Sequence, residues 1–273
     1  GEWRAFWCHS ARGLKGKTWD ESIRILKAAG FNAIVPNPAR GGSVFYRSDV
    51  LPEDPSVATQ GDALRECLAA CRKYGGECHV WKMCWNPWTA DKKTIAAWQA
   101  AGRTQKSDTG EDKGFDDWLC PTHPDNLKLE ADAFVELAKS GADGVHLDYI
   151  RYPYRAPYCF CDRCRALFEK RVGRRFEKWP ADVKKDKAMR TAWTAFRSEN
   201  ITALVREVSR RVREEAPGVK VSAADGDERL LGVVGRHLLA QRGNALHRLH
   251  QVLPQLQRRL LRRRGSRTRA LRL

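Results

Sequence analysis

The residues Gly144-Val-His-Leu-Asp-Tyr-Ile-Arg-Tyr-Pro153 place an imidazole, a carboxylate, a phenol and a guanidinium at the end of an apolar run. His146 and Asp148 are two apart, so on an extended strand they project to the same side. A carboxylate there, flanked by Tyr149 and Arg151, is suited to stabilising an oxocarbenium-like centre, either as nucleophile or as charge partner. The plainer alternative is an Asp148–Arg151 ion pair that only supports the surrounding chain.

The pattern recurs elsewhere in the sequence. His79 and Trp81 share the two-residue relation. His9, Ser10 and Arg12, then Asn37 and Arg40, then Trp85 and Asn86, each follow or end a short apolar run. Polar residues that collect at the C-terminal ends of parallel strands line a common ligand site, because the loops there vary over a rigid core. Trp81, Trp85 and Trp88 offer flat faces to sugar C–H groups, with ordinary core packing as the competing role.

Among nine cysteines two groups stand out. Cys67 and Cys71, four apart on one helical face, read as core residues. Cys159, Cys161 and Cys164 form a C-x-C-x-x-C run, which leaves three readings open: a zinc site completed by a fourth ligand from elsewhere, a local disulfide, or free thiols. An odd total leaves at least one cysteine without an intramolecular disulfide partner. There is no serine nucleophile elbow, P-loop or H-E-x-x-H helix, which removes those enzyme classes.

The elements that must position these residues are short apolar runs alternating with amphipathic helices. Strands are predicted over Trp3–His9, Phe31–Pro36, Cys78–Trp85, Gly144–Ile150 and Val219–Ala223. Thr18 and Glu21 form a capping box ahead of a helix bearing Trp19, Ile23 and Leu26. A second helix begins near Asp62 and a third at Pro124, while a long helical region spans Lys187 to Glu215. Residues 91–117 read as a polar excursion. No Gly-x-Gly-x-x-Gly follows a strand, so a doubly wound nucleotide fold has no support. The expected architecture is α/β, a (β/α)₈ TIM-type barrel with about five of its eight βα units present.

The chain has 273 residues and a net charge of +17. From Arg229 onward there are twelve Arg and no Asp, Glu or Lys, so residues 1–228 hold 38 basic against 33 acidic groups. The same stretch contains no aromatic residue and no Cys, Ile or Met. Residues 1–225 are therefore expected to form the partial barrel. Residues 226–273 are expected to be either a sequence translated out of frame or an Arg/Leu-rich tail that binds an acidic partner such as nucleic acid. No membrane span or signal peptide is visible. Three missing units would leave sheet edges and apolar helix faces exposed, so this chain is expected to be poorly soluble, and its incompleteness puts its activity at risk.

Several segments together carry a family resemblance. Arg4-Ala-Phe-Trp, Gly30-Phe-Asn-Ala-Ile-Val, Tyr46-x-Ser-Asp-Val-Leu-Pro52, His79-Val-Trp81, Trp118-Leu-Cys-Pro121 and Asp143 to Pro153 resemble, in order, the glycosyl-hydrolase-like family 10 proteins over about residues 2–224. The resemblance implies a bacterial TIM-barrel glycosidase, exported from the cytoplasm and needing no cofactor, whose partner is a polysaccharide substrate. One branch of the family resembles enzymes that cut peptidoglycan strands stripped of peptides. The resemblance puts Asp148 at the active centre with His146, Tyr149 and Arg151, and Arg40, His79 and Trp81 on the pocket wall. Glycoside hydrolysis usually needs two carboxyl groups. The second is expected in the segment that departs from the family, or at Asp116 or Asp117. A carbohydrate-binding barrel without turnover is the alternative function.

Overall fold

A computed structural model of the chain describes residues 2–111, 114–153 and 158–224. The tail 226–273 lies outside the described residues, as does any nucleic-acid-binding role for it. Among the described residues there are five strands and eight helices. Strand β1 (Ala5–Cys8) leads to helix α1 (Trp19–Ala28), and β2 (Ala33–Pro36) to α2 (Ser56–Gln60) and α3 (Ala63–Tyr74). Strand β3 (Glu77–Met83) is followed by α4 (Lys92–Ala100) and α5 (Pro124–Lys139). Strand β4 (Gly144–Asp148) precedes α6 (Asp162–Val172), α7 (Ala181–Lys185) and α8 (Lys187–Glu215), and β5 (Lys220–Ala223) closes the series.

The helix starts follow local chemistry. Thr18 accepts from the Glu21 amide and the Glu21 side chain returns a bond to Thr18, completing the capping box. Asp62, Asp91 and Asp186 cap α3, α4 and α8 more simply, each accepting from backbone amides of the first turn. Pro124 starts α5, where a missing amide costs no helical bond. Gly75 ends α3 in the left-handed conformation at φ 64°.

All five strands are parallel and lie in the order β1-β2-β3-β4-β5. Sequential order decides the fold class. Each right-handed crossover adds its strand on the same side and sends its helix to the same face, so the sheet curls into a barrel wall. A doubly wound sheet reverses direction, and this one does not.

Two apolar clusters occupy the two faces. Cys8, Ile34, Cys78, Val80, Val145 and Leu147 alternate toward the helices and join the main core. Val35, Trp81 and Met83 face the other way, with Ala5, Trp7 and Tyr149 packed against them, and form the inner core. The strand β2 sequence Ala-Ile-Val-Pro is buried throughout, as a sheet covered on both faces requires.

Strand ends are shorter than the apolar runs that signal them. β4 stops at Asp148 because Tyr149 takes a left-handed backbone at φ 58°, which breaks the extended path. The polar excursion over 91–117 contains helix α4, capped by Asp91. The segment after β4 carries α6 and α7 against α8, around stacked Phe168 and Phe176 and the Trp193 ring.

Candidate active site

Register places Met83 beside Asp148 and Trp81 beside His146. Alternation then puts Trp81, Met83, His146 and Asp148 on the inner face, with Asp148 at the C-terminal end of β4. Its side chain is 14% exposed, which leaves the carboxylate reachable but largely shielded from water. The Tyr149 amide donates to Asp148 Oδ1 at 2.7 Å, and Arg151 approaches the same oxygen at 3.9 Å. Burial pushes the Asp148 carboxyl up, against the opposing pulls of the Tyr149 amide, the Arg151 charge and the Trp81 indole. An upward shift of this kind favours the protonated carboxyl relative to an exposed aspartate.

The neighbours form a tight aromatic frame. The Arg151 guanidinium lies 4.1 Å over the Tyr149 ring. That ring leans on Trp118 at 5.7 Å, which brings the 115–119 loop against the end of β4. On this loop Asp116 accepts from the Tyr158 hydroxyl at 2.5 Å. Trp81 contacts Trp7 at 4.7 Å and His9 at 5.0 Å. Trp81 Nε1 is buried close enough to Asp148 to influence it, yet makes no hydrogen bond of good geometry.

His146 sits one layer below Asp148. Its Nδ1 meets Ser222 Oγ at 2.8 Å, while Nε2 is buried without a hydrogen bond. Burial, helped by the nearby His79, lowers its pKa to about 3, so the ring is neutral at ordinary pH. Such a ring can donate or accept a hydrogen bond but brings no charge.

His79 lies deeper, two residues into β3 on the N-terminal side. Its Nε2 pairs with Glu77 at 2.9 Å, and its ring is edge-on to Trp3 at 5.2 Å. Gly144 makes room for it, because a Cβ there would stand 2.3 Å from His79 Nδ1. Glu77 also receives Lys220 and the Trp3 indole. Burial alone would raise the Glu77 carboxyl, but bonds from Lys220, His79 and Trp3 outweigh it and hold it at about 2. This polar plug closes the end of the barrel opposite Asp148.

The remaining sequence candidates separate by placement. Asn37 is buried, with its Oδ1 unbonded, two residues beyond the inward Val35. Arg40 donates to the His9 carbonyl at 2.9 Å and stacks over Phe45, tying the first two strand-end loops together. Arg12 is engaged in holding α2, donating to the carbonyls of Ser56, Gln60 and Gly61. Trp85 is fully buried in the main core at φ 64°, so its face is not open to a ligand. Trp88, three residues on, is 75% exposed.

Sequence spacing alone missed the fourth thiol of the cysteine cluster. Cys120 joins Cys159, Cys161 and Cys164, all buried, with Sγ atoms within 4.8 Å of one another, a set able to hold a metal ion. The Trp118-Leu-Cys-Pro121 segment carried that thiol, but nothing local linked it to residues about forty positions later. All nine cysteines are free, so the local disulfide is not formed. Cys67, Cys71 and Cys78 are core residues, as their helical spacing suggests for the first two.

A groove of about 710 Å³ lies on the outer side, lined by Arg47, Arg65, Asp132, Glu136 and Arg211 among others. Arg211 pairs with Asp132 at 2.5 Å, and Glu136 accepts from Ser48 and the Asp49 amide. Its polar groups serve each other, and it is remote from Asp148.

Comparison with known proteins agrees with this geometry. In structure the chain is similar to α-L-fucosidase isoenzyme 2 from Paenibacillus thiaminolyticus, with a TM-score of 0.58 and 14% identity over 85% of this chain and 34% of that one. It is also similar to the α-galactosidase from Lactobacillus brevis, with a TM-score of 0.52 and 12% identity over 85% of this chain and 28% of that one. A hypothetical protein from Ruminiclostridium thermocellum ATCC 27405 matches with a TM-score of 0.50 and 18% identity, over 81% of this chain and 96% of that one. The chain thus spans about a third of the length of the fucosidase. At these identities the likeness is one of fold, a partial TIM-type barrel of the kind glycosidases use. No curated protein matches in sequence. The Glycosyl hydrolase-like 10 family model matches residues 3–227, and the chain belongs to that family.

Proposed function

We propose that the protein is a glycoside hydrolase acting on a polysaccharide outside the cytoplasm, a bacterial cell-wall glycan foremost, with Asp148 as a catalytic carboxylate. The observation that carries this reading is the placement of Asp148. It ends β4 on the inner face, shielded but open to the mouth, with its carboxyl pushed up by burial. That environment suits a group that donates a proton to a leaving oxygen and takes it back.

Tyr149, Arg151 and Trp81 frame the sugar around this carboxylate, while Asn37 Oδ1 and His146 Nε2 offer buried polar atoms with no bond inside the protein. Arg40 steadies the rim through His9. Trp88, rather than the buried Trp85, supplies the exposed stacking face. The second carboxyl is assigned to Asp116 or Asp117, on the loop that Trp118 presses against Tyr149. The hydrolytic step uses no cofactor, and a zinc ion at the four-thiol cluster is structural. Among the described residues no helix is long and apolar enough to cross a membrane.

The test is Asp148→Asn, assayed on peptidoglycan strands stripped of peptides. The expected outcome is a loss of turnover of about 10²-fold or more with glycan affinity retained. Equal turnover by both proteins removes Asp148 from the chemistry, and binding without turnover by either favours a carbohydrate-binding barrel.

A further inference from the structure

We propose that Cys120, Cys159, Cys161 and Cys164 bind one zinc ion in a tetrahedral, all-thiolate site that staples the loop before α5 to the connection between β4 and α6. This inference stands apart from the hydrolase reading.

The distances fit a single ion. Zinc–sulfur bonds of about 2.3 Å at tetrahedral angles set the sulfurs about 3.8 Å apart. Cys120 Sγ lies 3.9 Å from that of Cys161 and 3.5 Å from that of Cys164. A disulfide would need about 2.05 Å. Four thiols converging from two separate stretches of chain is also more than either disulfide pairing or core packing calls for.

The delivery of the ligands matches a zinc half-site. Cys161 is the N-cap residue of α6 and makes no capping bond with its side chain, and Cys164 follows in the first turn. A C-x-x-C pair at a helix start places two sulfurs where free amides and the helix dipole favour negative charge. Cys159 and Cys120 come from irregular loops, where a covalent-strength tie replaces missing secondary structure.

The surroundings are built for anionic sulfur. The Lys106 amide donates to Cys159 Sγ at 3.3 Å, and the Thr122 hydroxyl lies 3.1 Å from Cys120 Sγ and 3.5 Å from Cys164 Sγ. Arg197 gives an independent sign. It is half-buried, its guanidinium rests 4.3 Å over the Tyr152 ring, and its enclosed Nε makes no hydrogen bond. Among the described residues no carboxylate forms an ion pair with Arg197, and after Tyr152 the groups that act on its charge are Cys159 and Cys164. A cation with its Nε enclosed and no carboxylate partner is stabilised by a nearby negative charge. Four thiolates around Zn²⁺ carry a net charge of −2 and supply it, whereas four neutral thiols do not.

The site has a structural consequence. Phe160 and Lys106 share a backbone bond of 2.9 Å beside Cys159, and Tyr158, next in the chain, donates to Asp116. The ion therefore anchors the same two loops that meet at the mouth. The other thiol cluster, Cys67, Cys71 and Cys78, offers three sulfurs and no fourth ligand among the described residues, so the expected content is one ion rather than two.

The full 273-residue chain, purified without chelator from zinc-supplemented medium, is tested by metal analysis. About one zinc per chain is expected, falling severalfold in Cys120→Ser and Cys164→Ser and unchanged in Cys67→Ala. Exchange of the native metal for Co²⁺ gives a readout that does not depend on variants folding: intense visible bands of tetrahedral cobalt with sulfur-to-metal charge transfer. Folded protein with substoichiometric zinc, iron in place of zinc, octahedral cobalt spectra, or undiminished zinc in both serine variants would each overturn the proposal.

Discussion

Lys82 and Glu130 form an ion pair sealed between β3 and α5, with 1% and 3% of their side chains exposed. It lies on the helix-facing side of the same strand whose inner side carries Trp81 and Met83. Glu130 also accepts from the Trp85 amide at 2.8 Å, and Lys82 donates to the Met83 carbonyl at 3.2 Å. The pair therefore pins the turn at the end of β3. Lys82→Met leaves a buried carboxylate unpaired and is expected to cost about 3–5 kcal/mol in urea unfolding. The double variant Lys82→Met/Glu130→Gln keeps an acceptor for Trp85 and removes both charges, so it should be the more stable of the two. Equal stability of single and double variants would show the charges to be uncoupled.

Acid–base behaviour at Asp148 follows from its raised pKa. If its protonated form is the active one, kcat/KM falls on the alkaline side, at a pH raised relative to that of an exposed aspartate. Arg151 opposes that rise, so Arg151→Met should move the alkaline limb to higher pH. A limb that stays in place after this substitution assigns it to another group.

Stability should depend on His146 with a definite sign. Its folded-state pKa of about 3 is depressed below the ordinary imidazole value of about 6.5, so between these values the unfolded chain binds a proton that the folded chain does not. The contribution is complete above pH 6.5 and is lost as pH falls toward 3. Unfolding free energies of His146→Gln, measured from pH 7 to 4, should be shallower than those of the parent by up to about 1.4 kcal/mol per pH unit. Parallel curves would mean that the ring is hydrated in the folded state.

Trp88 separates binding from stability. Being 75% exposed on the loop after β3, it contributes little to the core, and Trp88→Ala should change stability by no more than about 0.5 kcal/mol. Glycan affinity, measured by titration, is expected to weaken severalfold. Unchanged affinity would place the stacking surface elsewhere.

Much of the scaffold was legible in local chemistry. The Thr18–Glu21 box, the Asp62 cap and the bounds of α8 follow from residues within a few positions of each other, because capping and helical periodicity are short-range. The motif ending in Asp148 announced a polar strand end in the same way. Helix α4 was hidden, since its surface is polar and only Trp98 of its residues is buried.

What the sequence by itself determined was the alternation of strands and helices and the carboxylate at the end of β4. Tertiary structure decided which of the accompanying residues meet it. Two-residue spacing gave His79 and His146 the same facing, but strand register set His79 beside Gly144, one inward layer below the Trp81–His146 level, so that only His146 lies in the layer next to Asp148. Left-handed backbone at Trp85 turned its ring into the core. Cys120 reached its partners only because parallel strands bring the loops after β3 and β4 side by side. Spacing along a chain fixes direction over a few residues, whereas proximity across forty depends on how the sheet is wound.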